Sequence, residues 1–276
     1  MFAVEMNNVS FCYPDGTGAI SDITLALRPN RRLALLGANG SGKTTLLTHL
    51  NGLHLPQTGT VSLWGIPVTP GNLSVIRRKV GILFDNPDNQ LFSTTVAEDV
   101  AFGPFNMGCS DEEMKTRTEK ALREMGITDL SDRSPCNLSW GQKKKAAIAG
   151  LLSMDIDLFV MDEPFSGLDP VAVDDFLVLL DTLYQKGKTL VISTHNVDLA
   201  YEWADDIGVI SAGRLTAFGG IELLRDESLL KAAGLRPPVL ARIFKEMEEQ
   251  PRNFRQAAQL IQNMAGFRKS SKGEEV

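Results

Sequence analysis

Residues 32–47, RLALLGANGSGKTTLL, restrict the folds open to this chain more than any other stretch. Arg32–Gly37 opens as a short, almost wholly apolar run, the pattern of a strand buried on both faces of its sheet. Glycines follow at 37, 40 and 42, and a helix starts at about Lys43. Gly37–Thr44 fits G-x-x-x-x-G-K-[ST], in which the glycines let the backbone curl and its N–H groups surround phosphate oxygens. The helix N-terminus adds its positive end, Lys43 a point charge, and Thr44 a hydroxyl ligand for Mg²⁺. Gly37, Asn39, Gly40, Ser41, Gly42, Lys43, Thr44 and Thr45 are therefore the expected phosphate contacts. A chance glycine-rich turn is the alternative, and the strand and helix on either side argue against it.

The rest of the chain supplies a setting for such a curl. FAVEMNNVSF and ISDITLAL read as mixed strands around the turn YPDGTG, and TVSLWG as another; they predict an N-terminal antiparallel β subdomain. KVGILF, LFVMD, TLVIST and IGVIS read as strands, the last three alternating with the helical stretches VAVDDFLVLLDTLYQ and VDLAYEWA. Such alternation predicts an α/β fold with a mostly parallel central sheet. Residues 94–154 read mostly as helix, so a helical subdomain of about 86–155 is inserted into a unit spanning 1–220, and 221–276 form a helical extension. The last residues, RKSSKGEEV, read as frayed.

Composition removes several functions. Hydrophobic residues make up 43% of 276, ample for a core, and the net charge of −6 argues against nucleic acid as a partner. Cys12, Cys109 and Cys136 lack metal-ligand spacing and suggest reduced thiols in a cytosolic compartment. No apolar run approaches the roughly 20 residues of a membrane span, and MFAVEMNNVS has acid and amide where a signal peptide is expected to be apolar. A soluble protein or a peripheral subunit is expected.

A phosphate cradle needs a second group for the metal. LFVMDEP delivers Asp162 and Glu163 at the C-terminal end of a strand, where ligands of open α/β sheets bind. Asp162 can hold Mg²⁺, and Glu163 can orient and deprotonate an attacking water; the alternative is a pair of solvated strand-end acids. TLVISTH ends a parallel strand on His195, placed for a γ-phosphate contact, whereas His49 and His54 read as structural.

NLSWGQKKKAAIAG decides the family. Leu138, Ser139, Trp140, Gly141 and Gln142 resemble the LSGGQ signature of ATP-binding-cassette (ABC) ATPases, and Ser139 with Gln142 has capping-box spacing at the start of a helix. The resemblance covers residues 1 to about 220 and implies a P-loop NTPase fold, ATP as substrate and Mg²⁺ as cofactor. It also implies a homodimer or paralogous cassette dimer, in which Ser139, Gly141 and Gln142 close on the nucleotide in the partner's cradle. Tyr13 lies where an aromatic stacks on adenine, or is merely a strand aromatic in a turn. Ser166–Asp169, SGLD, matches the loop along the dimer seam, though Asp169-Pro170 is also a good helix start.

The stretch GILFDNPDNQLF, residues 81–92, departs from the family. Its strand usually ends in a glutamine touching Mg²⁺ and the attacking water; here the residue is Asp85. A carboxylate about 4 Å from a γ-phosphate oxygen adds on the order of 4 kcal/mol of repulsion at an effective dielectric of 20. Either Asp85 contacts Mg²⁺, or it turns away and caps the Asn86-Pro87 turn. Leu91, Phe92, Phe102 and Phe105 are docking anchors for an integral membrane subunit, or else pack the helical lobe. NPDNQLF, EDVAFGPFNMG and AGLRPPVLARIF resemble energy-coupling-factor importers, most of all their cobalt and nickel members, with vitamin uptake as the rival cargo. That places the protein on the cytoplasmic face of the membrane. Trp140 replaces a signature glycine and must turn its bulk from the phosphate; Lys145 stands where many relatives have Arg. These departures leave a poorly hydrolysing, nucleotide-gated module as an alternative, and a soluble cassette protein of translation or DNA maintenance as a third reading.

Overall fold

The computed structural model describes residues 1–270, with side chains described to residue 264. Residues 271–276 of the expected frayed tail lie outside the described residues. The chain opens with β1 (Val4–Cys12) and β2 (Gly18–Leu27), paired antiparallel with Val4 opposite Leu27 and Met6 opposite Leu25. It then enters β3 (Arg32–Leu36) and α1 (Lys43–Leu50) before returning to the first sheet with β4 (Thr58–Leu63) and β5 (Ile66–Pro67). That sheet runs β2-β1-β4-β5 and is antiparallel throughout, as its mixed strand patterns predict.

After α2 (Leu73–Arg77) and β6 (Val80–Leu83) comes the inserted lobe: α3 (Val96–Met107), α4 (Asp111–Glu124) and α5 (Trp140–Ser153). Thr95 and Glu98 form a reciprocal capping box that starts α3, and Gly108 in the left-handed region ends it. The chain re-enters the sheet through β7 (Leu158–Asp162), α6 (Pro170–Gln185), β8 (Thr189–Thr194), α7 (Val197–Trp203), β9 (Asp206–Ser211) and β10 (Arg214–Gly219). The second sheet runs β10-β9-β3-β8-β7-β6, parallel except for β10.

Burial on both faces of the parallel strands follows from their uninterrupted apolar runs. Leu33 and Leu35 enter a core shared with β1, β4 and α1, while Ala34 and Leu36 enter a second core shared with the lobe, α6 and α7. Leu158 and Val160 repeat the first assignment, Phe159 and Met161 the second. The C-terminal segments α8 (Glu227–Ala232), α9 (Val239–Ile243) and α10 (Phe254–Ser270) add Leu230, Leu240, Phe244 and Ala257 to the second core. Arg252 fastens this extension by donating to the carbonyls of Tyr201 and Ala204 at the end of α7. The three cysteines are unpaired, and among the described residues no helix is long and apolar enough to cross a membrane.

Parallel register decides where chemistry collects. Leu36 pairs with Thr194, Asp162 with Ser193 and Leu83 with Met161, so β3, β8, β7 and β6 end side by side. Just beyond the first three ends come Gly37, His195 and Glu163, and Asp85 lies two residues past the end of β6.

Candidate active site

The curl between β3 and α1 demands glycine at two points. A Cβ on Gly37 would lie 2.3 Å from the Ile210 carbonyl oxygen, and Gly42 has φ +107° with its would-be Cβ 2.7 Å from the Ala19 carbonyl. Both contacts are to backbone that cannot yield, so any side chain would distort the loop. Lys43 folds back over it, donating to the carbonyls of Gly37 (2.9 Å) and Ala38 (3.2 Å) and lying 3.8 Å from Glu163 Oε1. The Ser41 hydroxyl is buried beside the would-be Cβ of Gly37 and has no hydrogen-bond partner. A buried, unpartnered donor within a curl of amides suits an anion with several acceptor oxygens.

Asp162 is 5% exposed and doubly held: the Thr44 hydroxyl donates to one oxygen and the Ser193 hydroxyl to the other. Among the described residues no trio of His, Cys, Asp and Glu forms a metal cage. One hydroxyl and one carboxylate beside a phosphate cradle instead make the sparse oxygen set that suits Mg²⁺, which completes its shell with phosphate and water. Glu163 has φ +41°, a left-handed backbone that a non-glycine residue seldom adopts. Its N–H donates to the carbonyl and the hydroxyl of Ser193, both at 3.1 Å, and its Oε1 lies 3.0 Å from His195 Nδ1. The carboxylate thus sits between an ammonium and an imidazole at the mouth of the cradle.

Tyr13, Asn39, Gly40, Gly42, Lys43, Thr44, Thr45, Asp85, Asp162 and Glu163 line one cleft of about 430 Å³. Tyr13 hydroxyl meets Thr45 Oγ1 at 2.8 Å, and its ring packs edge-on to Phe11 and His54. His49 is buried with Nδ1 on the Thr45 carbonyl, and His54 Nδ1 meets the Thr48 hydroxyl, so both have the structural roles expected of them. Asp85 does not cap the turn after it. The Asn86 side chain does so, accepting from the N–H of Asp88, and this removes the expected alternative role for Asp85. An amide one residue closer reaches the turn's free N–H first.

One buried charge was not singled out from the sequence. Lys144 on α5 is 0% exposed, with Nζ 2.8 Å from the carbonyl oxygen of Asp85, 3.2 Å from that of Glu163 and 3.9 Å from Asp85 Oδ1. Burial pulls its pKa below the ordinary lysine value, and the charges of Asp85, Asp162 and Glu163 oppose that shift. A signal existed: Lys144 shares a helical stripe with the buried Ala147, Ile148 and Leu151.

Ser139, Gly141 and Gln142 lie elsewhere. Ser139 caps α5, accepting from the N–H of Gln142, whose side chain accepts from the N–H of Ser139 at 3.0 Å. They line a separate depression of about 490 Å³ with Trp140, Lys145, Gly167 and Asp169. Asp169 caps α6 by accepting from the Ala172 N–H. Trp140 does turn its bulk aside: its ring covers Gly167, and its Nε1 donates to the Ser166 carbonyl at 3.4 Å.

Comparison with known proteins agrees with this geometry. A family described as ABC transporter matches residues 20–166, just over half the chain. The energy-coupling factor transporter ATP-binding protein EcfA of Carboxydothermus hydrogenoformans is 42% identical over 262 residues, covering 94% of this chain and 97% of its own. Among solved structures, cbiO1 of Clostridium perfringens, part of the ABC transporter complex cbiONQ, superposes with a TM-score of 0.72 at 34% identity over 90% of this chain and 99% of its own. The ATP-binding cassette MJ0796, a post-hydrolysis dimer bound to ADP and Pi, superposes with a TM-score of 0.73 at 26% identity over 79% of this chain and 98% of its own. From the glycine curl to the capped signature helix, this chain belongs to the ABC transporter family and is one of its ATPases.

Proposed function

We propose that this chain is the Mg²⁺-dependent ATPase subunit of an energy-coupling-factor importer, working as one of a pair of cassettes on the cytoplasmic face of the membrane. The observation that carries the reading is the placement of Glu163 between Lys43 and His195, beside the Thr44–Asp162 pair. Backbone N–H groups from Gly37 to Thr45 bind the phosphates, and Tyr13 borders the adenine side of the cleft. Thr44 and Asp162, with Asp85 lining the same cleft, would hold Mg²⁺, which would supply charge neutralisation at the phosphate oxygens. Glu163 takes a proton from water as the water oxygen bonds to the γ-phosphorus. The bond from that phosphorus to the bridging oxygen breaks, leaving ADP and inorganic phosphate. His195 steadies the Glu163 carboxylate and faces the γ-phosphate.

Glu163→Gln is expected to abolish turnover while leaving ATP binding intact; steady-state hydrolysis and equilibrium binding measured on one preparation test this, and full-speed hydrolysis refutes the assignment. The signature residues Ser139, Gly141 and Gln142 are far enough from their own cradle to line another depression, which supports their use by a second cassette. Phe92 and Phe102 are exposed along a groove floored by β6 and α5, Phe105 is exposed on α3, and the three supply the docking face for the membrane subunit; Leu91 lines the same groove and packs partly on the core. Phe92→Asp should strip the membrane subunit from the purified complex without changing ATP binding, and retention of that subunit contradicts the docking role. Cobalt or nickel as cargo rests on the resemblance of NPDNQLF, EDVAFGPFNMG and AGLRPPVLARIF to the cobalt and nickel members of these importers. A poorly hydrolysing module remains the second reading because Asp85 carries a negative charge into the cleft; hydrolysis measured across Mg²⁺ concentrations separates the two.

A further inference from the structure

Glu163 is tied at both ends of a backbone conformation that it would not choose by itself. Ser193 holds its N–H, and Lys144 holds its carbonyl oxygen. Left-handed backbone at a non-glycine residue persists only where its surroundings over-determine it. The Ser166 N–H also donates to that carbonyl, at 3.1 Å, but Lys144 is the restraint that reaches Glu163 from the inserted lobe, on the signature helix α5.

The rest of the Lys144 ammonium is also occupied. It donates to the carbonyl of Asp85 at the end of β6 and lies at ion-pair range from that residue's carboxylate. Its neighbour Lys143 pairs with Asp88 at 2.6 Å, so α5 grips the segment after β6 twice. A fully buried ammonium is expensive to desolvate, and an apolar side chain would fill the same space more cheaply. What the ammonium adds is two hydrogen bonds to strand-end carbonyls and a positive charge facing Asp85.

We propose that Lys144 is a positioning residue for hydrolysis: it fixes the backbone of Glu163 and neutralises Asp85 where that carboxylate borders the phosphate cleft. This rests on the reading of Glu163 as the general base. Without Lys144, Glu163 relaxes towards ordinary backbone geometry and its carboxylate leaves the line between Lys43 and His195. Asp85 then faces the nucleotide with its charge uncovered. Because Lys144 rides on α5, a shift of the signature helix reaches the base directly through this side chain.

The test uses Lys144→Met, Lys144→Arg and Lys144→Met with Asp85→Asn, all in the full chain. Displacing a reacting group by about 1 Å is worth on the order of a hundredfold in rate, so kcat of Lys144→Met should fall about that far while its unfolding midpoint does not drop. Binding of a fluorescent ATP analogue in EDTA should weaken about tenfold, through the uncovered charge, and ADP should lose less. Adding Asp85→Asn should restore that binding but not kcat, whereas Lys144→Arg, which keeps charge and donors, should restore both. Lys144→Gln is read by the same outcomes if the methionine form does not fold. Turnover within threefold of wild type, with unchanged binding in EDTA, overturns the proposal. Glu163→Gln measured alongside keeps the two ideas apart. Its full activity sinks the base assignment, whereas its inactivity beside a normal Lys144→Met sinks the role of Lys144 alone.

Discussion

Trp140 lies across Gly167 so closely that a Cβ there would sit 2.2 Å from the indole ring. Gly167→Ala therefore carries two penalties that a second substitution can separate. The first is backbone: Gly167 has φ +76°, which adds about 1–2 kcal/mol for an L side chain. The second is expulsion of the indole. Trp140 is 39% exposed, so about 150 Å² of a side chain that can bury up to about 250 Å² is covered. At about 25 cal/mol per Å², lowered for a compact unfolded state, that cover is worth about 2–3 kcal/mol. Gly167→Ala alone should then destabilise by about 3–5 kcal/mol and Trp140→Ala by about 2–3. In the Trp140→Ala background, Gly167→Ala should add only its backbone term, giving a coupling of about −2 to −3 kcal/mol. Urea unfolding followed by far-ultraviolet circular dichroism reads all four corners of the cycle without relying on the removed indole. Effects that add to within about 0.5 kcal/mol refute the contact as an energetic one.

Two further substitutions test the cleft and its floor. Asp85→Gln should keep or raise ATP turnover and lower the Mg²⁺ concentration needed for half-maximal rate, because it removes a carboxylate from the phosphate side; a collapse of activity in a Mg²⁺ titration would contradict a tolerated substitution. Burial holds the His49 pKa below the ordinary imidazole value, against the hydrogen bond to the Thr45 carbonyl and with help from nearby His54. The unfolded chain therefore takes up this proton first as pH falls. The stabilisation is complete above a pH of about 6.5 and is lost below it, by at most about 1.4 kcal/mol per pH unit. His49→Gln should flatten that share of the slope in denaturation curves at pH 7.5 and 5.5, and an unchanged slope contradicts it.

What the sequence made legible was set by how local each determinant is. The curl at Gly37–Thr44 is written in consecutive residues, and parallel β3 and β7 advertise burial on both faces through unbroken apolar runs. The capping box at Ser139 spans four residues and was equally readable. β10 was not, because RLTAFG is an edge strand of mostly half-exposed residues with no clean alternation. Lys144 was hidden by the lysines on either side of it, which suggest a solvated run although the helical stripe turns only the middle one inward. That Trp140 must swing aside followed from its bulk, but its resting place on Gly167 is a tertiary contact across 27 positions. The left-handed backbone of Glu163 carries no sequence mark, since besides the local Ser166 N–H its restraints come from Ser193 on β8 and Lys144 on α5.

The same contacts constrain how two cassettes of the proposed pair could communicate. Ser139 and Gln142 satisfy each other at the tip of α5, leaving the first-turn amides of Trp140 and Gly141 for an anion that their own chain does not bring near. Trp140, at that tip, bonds to Ser166, three residues beyond Glu163. Lys144, one turn further along α5, bonds to Glu163 itself. A signature that grips a partner's nucleotide is thus joined at two points to the base that acts on its own. Rigid coupling of this kind predicts that loosening either point slows hydrolysis at the site in the same chain, even though the signature serves the other. In a mixed dimer with one Glu163→Gln subunit, Lys144→Met should therefore suppress turnover when placed on the active subunit and spare it when placed on the inactive one. Suppression that ignores which subunit carries the change would mean that α5 acts only across the seam.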